Sequence, residues 1–314
     1  MEKLVVVTFA GRKKYMEILF PYIERYKQHI SEYHIYVATE NEDDIKYMVD
    51  FYNKNQDFVK LIRLENYSSF NKALVWNLAY KNCQDDDTIY LKIDDDVVYI
   101  DENLFTKFID FRKKSDVPLV YPHIINNIIS SPLLQKMGVL KLTTDWNHDY
   151  MVIDTWKNTI NRIENNIKGL QGKLPSDYVV TNLLSQNEIL CPISWGDVNY
   201  SKECHLSFIE ILKSKKVDSL YTENIILSNY DPMSIQCCSW IGKDLKKYTT
   251  DFGEVGSEDE PWMSVYLPLW LENPNVIFGK SVVSHFSSYN QENFLIESGI
   301  LEKYKSSSLS NLIK

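Results

Sequence analysis

The first hundred residues alternate between two kinds of hydrophobic pattern. Short apolar, β-branched runs at Leu4–Phe9, Tyr33–Ala38, Val59–Leu64 and Thr88–Ile93 read as buried strands. Between them the apolar positions recur at three and four residues. Tyr15, Ile18, Leu19, Tyr22, Ile23 and Tyr26 mark a helix over Lys13–His29, and a second covers Asp43–Asn53. Ser68 or Ser69 caps a third, which runs to Asn82. This β-α-β-α-β-α-β succession predicts an α/β fold: a Rossmann-like, mostly parallel sheet flanked by helices, with ligands beyond the C-terminal strand ends.

After Asp101 the regularity weakens. Leu104–Lys113 predicts a helix and Pro118–Tyr121 a strand; from Pro122 to Asp251 the pattern gives loops and helices with no clear period. Residues 154–168 make the best helix there. Asp259–Leu271 reads as a helix, Asn275–Ser284 as a strand and Gln291–Tyr304 as a last helix, before a Ser-rich stretch, Ser306–Ser310, expected to fray. No repeat or low-complexity linker interrupts the chain. The expected organisation is one domain over 1–314, with a regular half (1–121), an irregular second half (122–290) and a terminal helix and tail (291–314).

Composition narrows the function classes. At 314 residues, 44% hydrophobic and 13% aromatic, the chain is long and apolar enough to bury a full core, which excludes disorder. A net charge of −9 argues against nucleic acid as a partner, because phosphate binding wants a basic face. The longest near-apolar run, Trp262–Leu271, is ten residues and contains Pro268. A bilayer needs ~20. The opening Met1–Val7 runs directly into a strand, unlike a secretory signal. The five cysteines (Cys83, Cys191, Cys204, Cys237, Cys238) are odd in number and form no CxxC pair, which speaks against zinc and for a reducing compartment. The expectation is a cytoplasmic protein with no transmembrane segment (in the host cytoplasm, were the gene viral).

The candidate chemistry sits in Tyr90-Leu91-Lys92-Ile93-Asp94-Asp95-Asp96-Val97-Val98, where three carboxylates follow an apolar strand directly. Carboxylates at this edge of an α/β sheet suit Mg²⁺ or Mn²⁺ shared with substrate phosphates. The alternative is an acidic turn, which is how Asp85-Asp86-Asp87 reads, since a loop precedes its strand.

Strand-then-Asp-x-Asp after three βα units resembles the DXD motif of GT-A-fold glycosyltransferases. Lys72-Ala73-Leu74-Val75-Trp76-Asn77, followed by Ile89–Asp96, is similar to the K-A-x-x-x-N … D-x-D segment of the large inverting family-2 glycosyltransferases. Thr8-Phe9-Ala10-Gly11-Arg12 resembles their nucleotide-contacting strand. The resemblance covers residues 3–120 and implies a GT-A-like fold, with 1–121 as the nucleotide-sugar-binding half and 122–290 as the acceptor-binding and catalytic half. It implies that Thr8, Phe9, Ala10 and Arg12 line the nucleoside pocket and that Lys72 approaches the nucleotide. Asp94 faces the ribose or sugar and shares metal ligation with Asp96, while Asp95 serves either role.

Two later motifs fit the same expectation. Gly256-Ser257-Glu258-Asp259-Glu260-Pro261-Trp262 looks like the E-D motif in which an acidic residue deprotonates the acceptor hydroxyl, with Asp259 preferred over Glu258. Ser257-x-x-Glu260 is equally a capping box. Val282-Val283-Ser284-His285-Phe286 places a histidine at a strand end, as a further metal ligand or as a structural hydrogen-bonder. On the acceptor side the candidates are His148 and the sugar-stacking rings Trp240 and Trp262, each tryptophan being equally a core residue. The 163 residues from Asp96 to Asp259 exceed a minimal member of the inverting family and imply an acceptor-side insertion.

The resemblance thus implies a divalent-cation-dependent (Mn²⁺ or Mg²⁺) transferase. It moves a sugar from a nucleoside-diphosphate sugar, UDP being favoured by family frequency, onto a glycan, lipid-linked or protein hydroxyl, with inversion. A retaining transferase, a sugar nucleotidyltransferase and a non-catalytic nucleotide- or sugar-binding protein are the alternatives.

Overall fold

A computed structural model of the chain describes residues 3–63, 76, 79–142, 197–227, 233–246, 259–288 and 290–312. Strand β1 (Lys3–Ala10) lies between two parallel neighbours, β2 (Glu32–Val37) and β4 (Thr88–Ile93), and is buried along almost its whole length. Covered on both faces, such a strand carries a continuous apolar run in place of an alternating one. Outside β2 lies β3 (Val59–Arg63). The rest of the sheet is β5 (Val97–Ile100), β6 (Val120–Ile125), β7 (Ile225–Ile226), β8 (Cys237–Ile241) and β9 (Val276–His285). The order is β3-β2-β1-β4-β8-β6-β9-β5, with β7 paired to β9. β8 runs antiparallel between β4 and β6, and β5 and β7 run antiparallel to β9; the other strands share one direction.

Helices flank the sheet. In α1 (Lys13–Arg25) the three-and-four spacing buries Tyr15, Ile18, Leu19, Tyr22 and Ile23. Asn41 starts α2 (Glu42–Lys54) by accepting from the amides of Asp43 and Asp44, and an acidic first turn suits the positive end of its dipole. Short helices α3 (Lys107–Lys113) and α4 (Ser130–Lys136) follow. Asp197 caps α5 (Val198–Lys213) in the same way as Asn41. α6 (Gly242–Lys246) continues from β8. α7 is a composite of Asp259–Pro261, a π turn at Trp262–Tyr266, and Leu267–Trp270. α8 (Glu292–Glu297) and α9 (Ile300–Leu312) end the described chain, and α9 packs against α1, α5 and β5. No described helix is long and apolar enough to cross a membrane.

The α/β class and the first four strands match the sequence reading. Several elements differ, among them β5, β7 and β8, which were not expected as strands. The first helix stops at Arg25 and leaves a single 3₁₀ turn at Lys27–His29. The strand expected at Pro118–Tyr121 begins at Val120 and continues to Ile125. The last helix is broken by Gly299, whose φ of +71° ends α8 in the left-handed region that glycine adopts without strain. The Ser-rich tail is helical as far as Leu312. The helix expected over 154–168 and most of the one ending at Asn82 lie outside the described residues.

Chain order positions the functional edge. From β1 the chain steps outward to β2 and β3, then returns to place β4 on the other side of β1. The order reverses between β1 and β4, and a crevice opens beyond the carboxyl ends of such a pair. Those ends deliver Gly11 and Arg12 from one strand and Asp94–Asp96 from the other.

Candidate functional site

Beyond β4 the chain turns at Asp94–Asp96 and returns as β5, with the Val97 amide donating to the Asp94 carbonyl. The Asp94 amide donates to the Gln236 carbonyl, and the Asp96 carbonyl accepts from the Phe286 amide at 2.8 Å. Val97 is in register with His285, so the ladder between β5 and β9 carries the histidine to the acidic turn.

The three carboxylates have different partners. Asp95 is buried and accepts from the Gly11 amide (3.0 Å) and from the forked Arg12 guanidinium through Nε (3.1 Å) and a terminal nitrogen. Gly11 fits there because a Cβ would stand 2.5 Å from the Ala38 carbonyl oxygen. Asp96 is buried between the same Arg12 nitrogen, 3.1 Å from Oδ2, and His285 Nε2, 3.3 Å from Oδ1. Burial alone would raise its pKa, but His285 and Arg12 hold the carboxyl below the usual carboxylate range, and Asp96 in turn raises His285 against its own burial. Asp94 is half-buried and paired with Lys92; burial pushes it up to about 6, which Lys92 opposes.

Lys92, Tyr80 and Glu260 join the site although none was a candidate site residue in the sequence. The Lys92 ammonium is buried inside β4 and also donates to the Ile235 carbonyl at 2.8 Å. Burial lowers its pKa, yet the charges of Asp94 and Asp259 hold it above the ordinary value. Its signal was available: a lysine in an otherwise apolar strand, two residues before Asp94 and so on the same face. Tyr80, fully buried, donates to Asp259 Oδ2 at 2.8 Å. Glu260 accepts from the Ser234 hydroxyl at 3.2 Å, and burial beside Asp259 raises it to about 7.

Asp94, Asp96 and His285 each offer a ligand atom, and the three atoms lie within 4.8 Å of one another. Oxygen ligands around Mg²⁺ at ~2.1 Å stand roughly 3–4 Å apart, so this spacing closes on a cation with small side-chain movement. Two buried atoms of the cluster, Asp96 Oδ1 and His285 Nδ1, make no hydrogen bond among the described residues. Unsatisfied acceptors at a carboxylate–imidazole cluster fit a divalent ion.

The other expected residues divide. Phe9 packs against Tyr36, Trp76 and Tyr80 with ring centroids 5.4–5.8 Å away, and only its edge is open. Thr8 and Ala10 are fully buried. Arg12 is anchored to the acidic turn, with its guanidinium over the Tyr15 ring. Trp262 is buried at the start of the π turn. Lys72, His148 and Glu258 lie outside the described residues.

Trp240 is corrected outright. It has no exposed surface, stacks on Tyr90, and donates from Nε1 to the Cys83 carbonyl, so no face remains for a sugar ring. Trp240→Ala is expected to cost about 3–5 kcal/mol of stability from the cavity and the lost bond. Urea unfolding measures this.

No protein-family model matches the sequence, and no curated protein matches it. Among solved structures the chain is similar to S. aureus TarS 1-349 in complex with UDP-GlcNAc, with a TM-score of 0.44 and 12% identity over 93% of this chain and 61% of that one. The S. aureus TarS 1-349 crystal structure gives a TM-score of 0.31 and 16% identity over 67% and 56% of the two chains. The 4-diphosphocytidyl-2C-methyl-D-erythritol synthase of Anaerococcus prevotii gives 0.30 and 17% over 40% and 56%. Each match takes in less than two thirds of the other protein's chain.

Proposed function

We propose that this chain is a divalent-cation-dependent glycosyltransferase that moves a sugar from a nucleoside-diphosphate sugar, UDP-linked in the first instance, to a hydroxyl acceptor with inversion. The observation that carries the reading is the convergence of Asp94, Asp96 and His285 within 4.8 Å at the strand-order reversal, with Asp259 held nearby by Tyr80. Asp94, Asp96 and His285 would hold the ion, with Mn²⁺ preferred because an imidazole joins the carboxylates. A bound cation supplies charge neutralisation for the departing diphosphate. Arg12 holds Asp95 and Asp96 in the turn. Lys92 does the same for Asp94 and lies within electrostatic reach of Asp259. Asp259, held through one oxygen by Tyr80, has its other oxygen available to take the acceptor hydroxyl's proton as that hydroxyl attacks the anomeric carbon from the face opposite the diphosphate.

A sugar nucleotidyltransferase wants free basic groups after the first strand for a triphosphate. Here Arg12 is committed to Asp95 and Asp96, and Lys14 pairs with Glu292 at 2.7 Å, which favours the transferase.

The test is thermal unfolding of the full chain with UDP, GDP, CDP or dTDP, each with Mn²⁺, Mg²⁺ or EDTA. One nucleotide should stabilise the protein only with metal, by about 2.7 kcal/mol at a hundredfold excess over its Kd. Release of that nucleotide from its sugar conjugate when acceptor is added separates an enzyme from a binding protein. No stabilisation by any pair would end the nucleotide-sugar reading.

A further inference from the structure

His285 ends β9, and the groups that fix it lie outside the acidic cluster. On the side of the strand away from Asp96, His205 of α5 is fully buried against residues 284–286. Its Nε2 stands 2.8 Å from the Phe286 carbonyl and its Nδ1 2.9 Å from the Tyr304 hydroxyl of α9. A carbonyl only accepts, so Nε2 carries the proton and Nδ1 accepts from Tyr304. Burial lowers the His205 pKa to about 4, consistent with one neutral tautomer. The Tyr304 oxygen lies 2.8 Å from the Ser284 hydroxyl, which donates to it once the tyrosine proton faces His205.

The hydrogen bonds therefore run from Ser284 to Tyr304, to His205, to the Phe286 carbonyl. They grip the residue before His285 by its side chain and the residue after it by its backbone. The same Phe286 carbonyl accepts from Asn126 Nδ2 at 2.9 Å, and the Phe286 amide donates to Asp96. One residue, Phe286, thus links the clamp on the far side to the acidic turn on the near side through the two peptide groups that flank it. A packing role alone needs no buried polar chain, since each unmade bond in it costs more than an apolar residue of the same shape.

We propose that His205 and Tyr304 are positioning residues for the cation site: they bracket residues 284–286, set the imidazole of His285 against Asp96, and make the C-terminal helix α9 a working part of the site. This rests on the reading of Asp94, Asp96 and His285 as the divalent-cation site.

The test titrates Mn²⁺ alone into the full chain and follows free Mn²⁺ by electron paramagnetic resonance. The variants are His205→Gln, His205→Asn and Tyr304→Phe, with Asp96→Ala as the site control and metal-free thermal midpoints measured alongside. A glutamine amide nitrogen reaches the place of Nε2 and keeps the bond to Phe286; an asparagine reaches only the place of Nδ1. The expected result is His205→Gln within about threefold of wild type, and His205→Asn and Tyr304→Phe weaker by about tenfold, the range seen for partners behind metal ligands. Unchanged affinity in both His205→Asn and Tyr304→Phe overturns the bracket. So does an equal loss in the Gln and Asn variants that follows their thermal midpoints, since that is packing. Mn²⁺ binding in wild type no stronger than in Asp96→Ala overturns the cation reading itself, and the bracket's role with it.

Discussion

Asp96→Ala is expected to remove metal-dependent nucleotide binding altogether and to lower turnover by at least about 10³-fold, while the ligand-free protein stays folded. The fold is spared because each partner of Asp96 has another recourse. Arg12 keeps its fork on Asp95, and His285 is still held by the ladder between β5 and β9. The site is not spared. Asp96 is the one carboxylate of the turn held below its ordinary pKa by two cations at once, and it joins His285 to the cluster. Without it, the departing diphosphate loses a cation contribution of several kcal/mol, and ~4 kcal/mol is a thousandfold in rate. Asp95→Asn is the contrast: it loosens Gly11 and Arg12 but leaves the cluster of Asp94, Asp96 and His285 intact, so metal-dependent binding should survive, weakened. Calorimetric titration of nucleotide with and without Mn²⁺ on both variants decides. Full metal-dependent binding by Asp96→Ala would remove it from the site.

What the sequence disclosed and what it hid both have physical causes. β1 and β4 were legible because parallel strands covered on both faces carry near-continuous apolar runs, β2 and β3 because β-branched and aromatic residues recur in them, and the acidic turn because it follows β4 with no intervening loop. β8 was not. Its residues, Cys237-Cys238-Ser239-Trp240-Ile241, are nearly all buried between two neighbours, so no alternation shows, and small or rarely β-forming side chains disguise the strand. That disguise also made Trp240 look like an exposed platform. α5 carries a clean stripe at Tyr200, Cys204, Phe208 and Leu212, but Ser201 and His205 share its buried face. Those polar residues blur the helical period because they are spent on hydrogen bonds to Gln291, Tyr304 and Phe286.

The same reasoning separates the two cations of the site. Arg12 follows a strand end and was visible as a candidate; its partners were not, because which carboxylate it meets depends on β1 and β4 lying side by side. Lys92 stands within the strand before the acidic turn, with no role assigned to it there by the sequence motifs. It is buried because Asp94 and the Ile235 carbonyl satisfy it, and an ammonium goes inside only when so paired. His285 was placed at a strand end from its flanking valines, yet its meeting with Asp96 needs the register of β5 on β9, a pairing no local pattern contains. Local pattern thus found the ends of the strands, and long-range pairing decided which ends meet.

Asp259→Asn should then dissociate chemistry from binding. Asparagine keeps the shape and an oxygen for the Tyr80 hydroxyl, so the start of α7 stays in place. It takes no proton from an acceptor. Loss of a general base costs about 10²–10⁴-fold in kcat, and nucleotide affinity should hold because the cation ligands lie on other strands. Glu260→Gln is the matched control. Glu260 is raised to about 7 by burial beside Asp259 and is bonded to Ser234, so at neutral pH much of it is already uncharged, and its amide should cost less than tenfold. Steady-state rates, with nucleotide Kd measured in parallel, give both readouts. A wild-type kcat in Asp259→Asn together with a collapse in Glu260→Gln would move the base one residue along the helix. Wild-type rates in both would leave α7 as scaffold and return the acceptor's proton to water or to the departing phosphate.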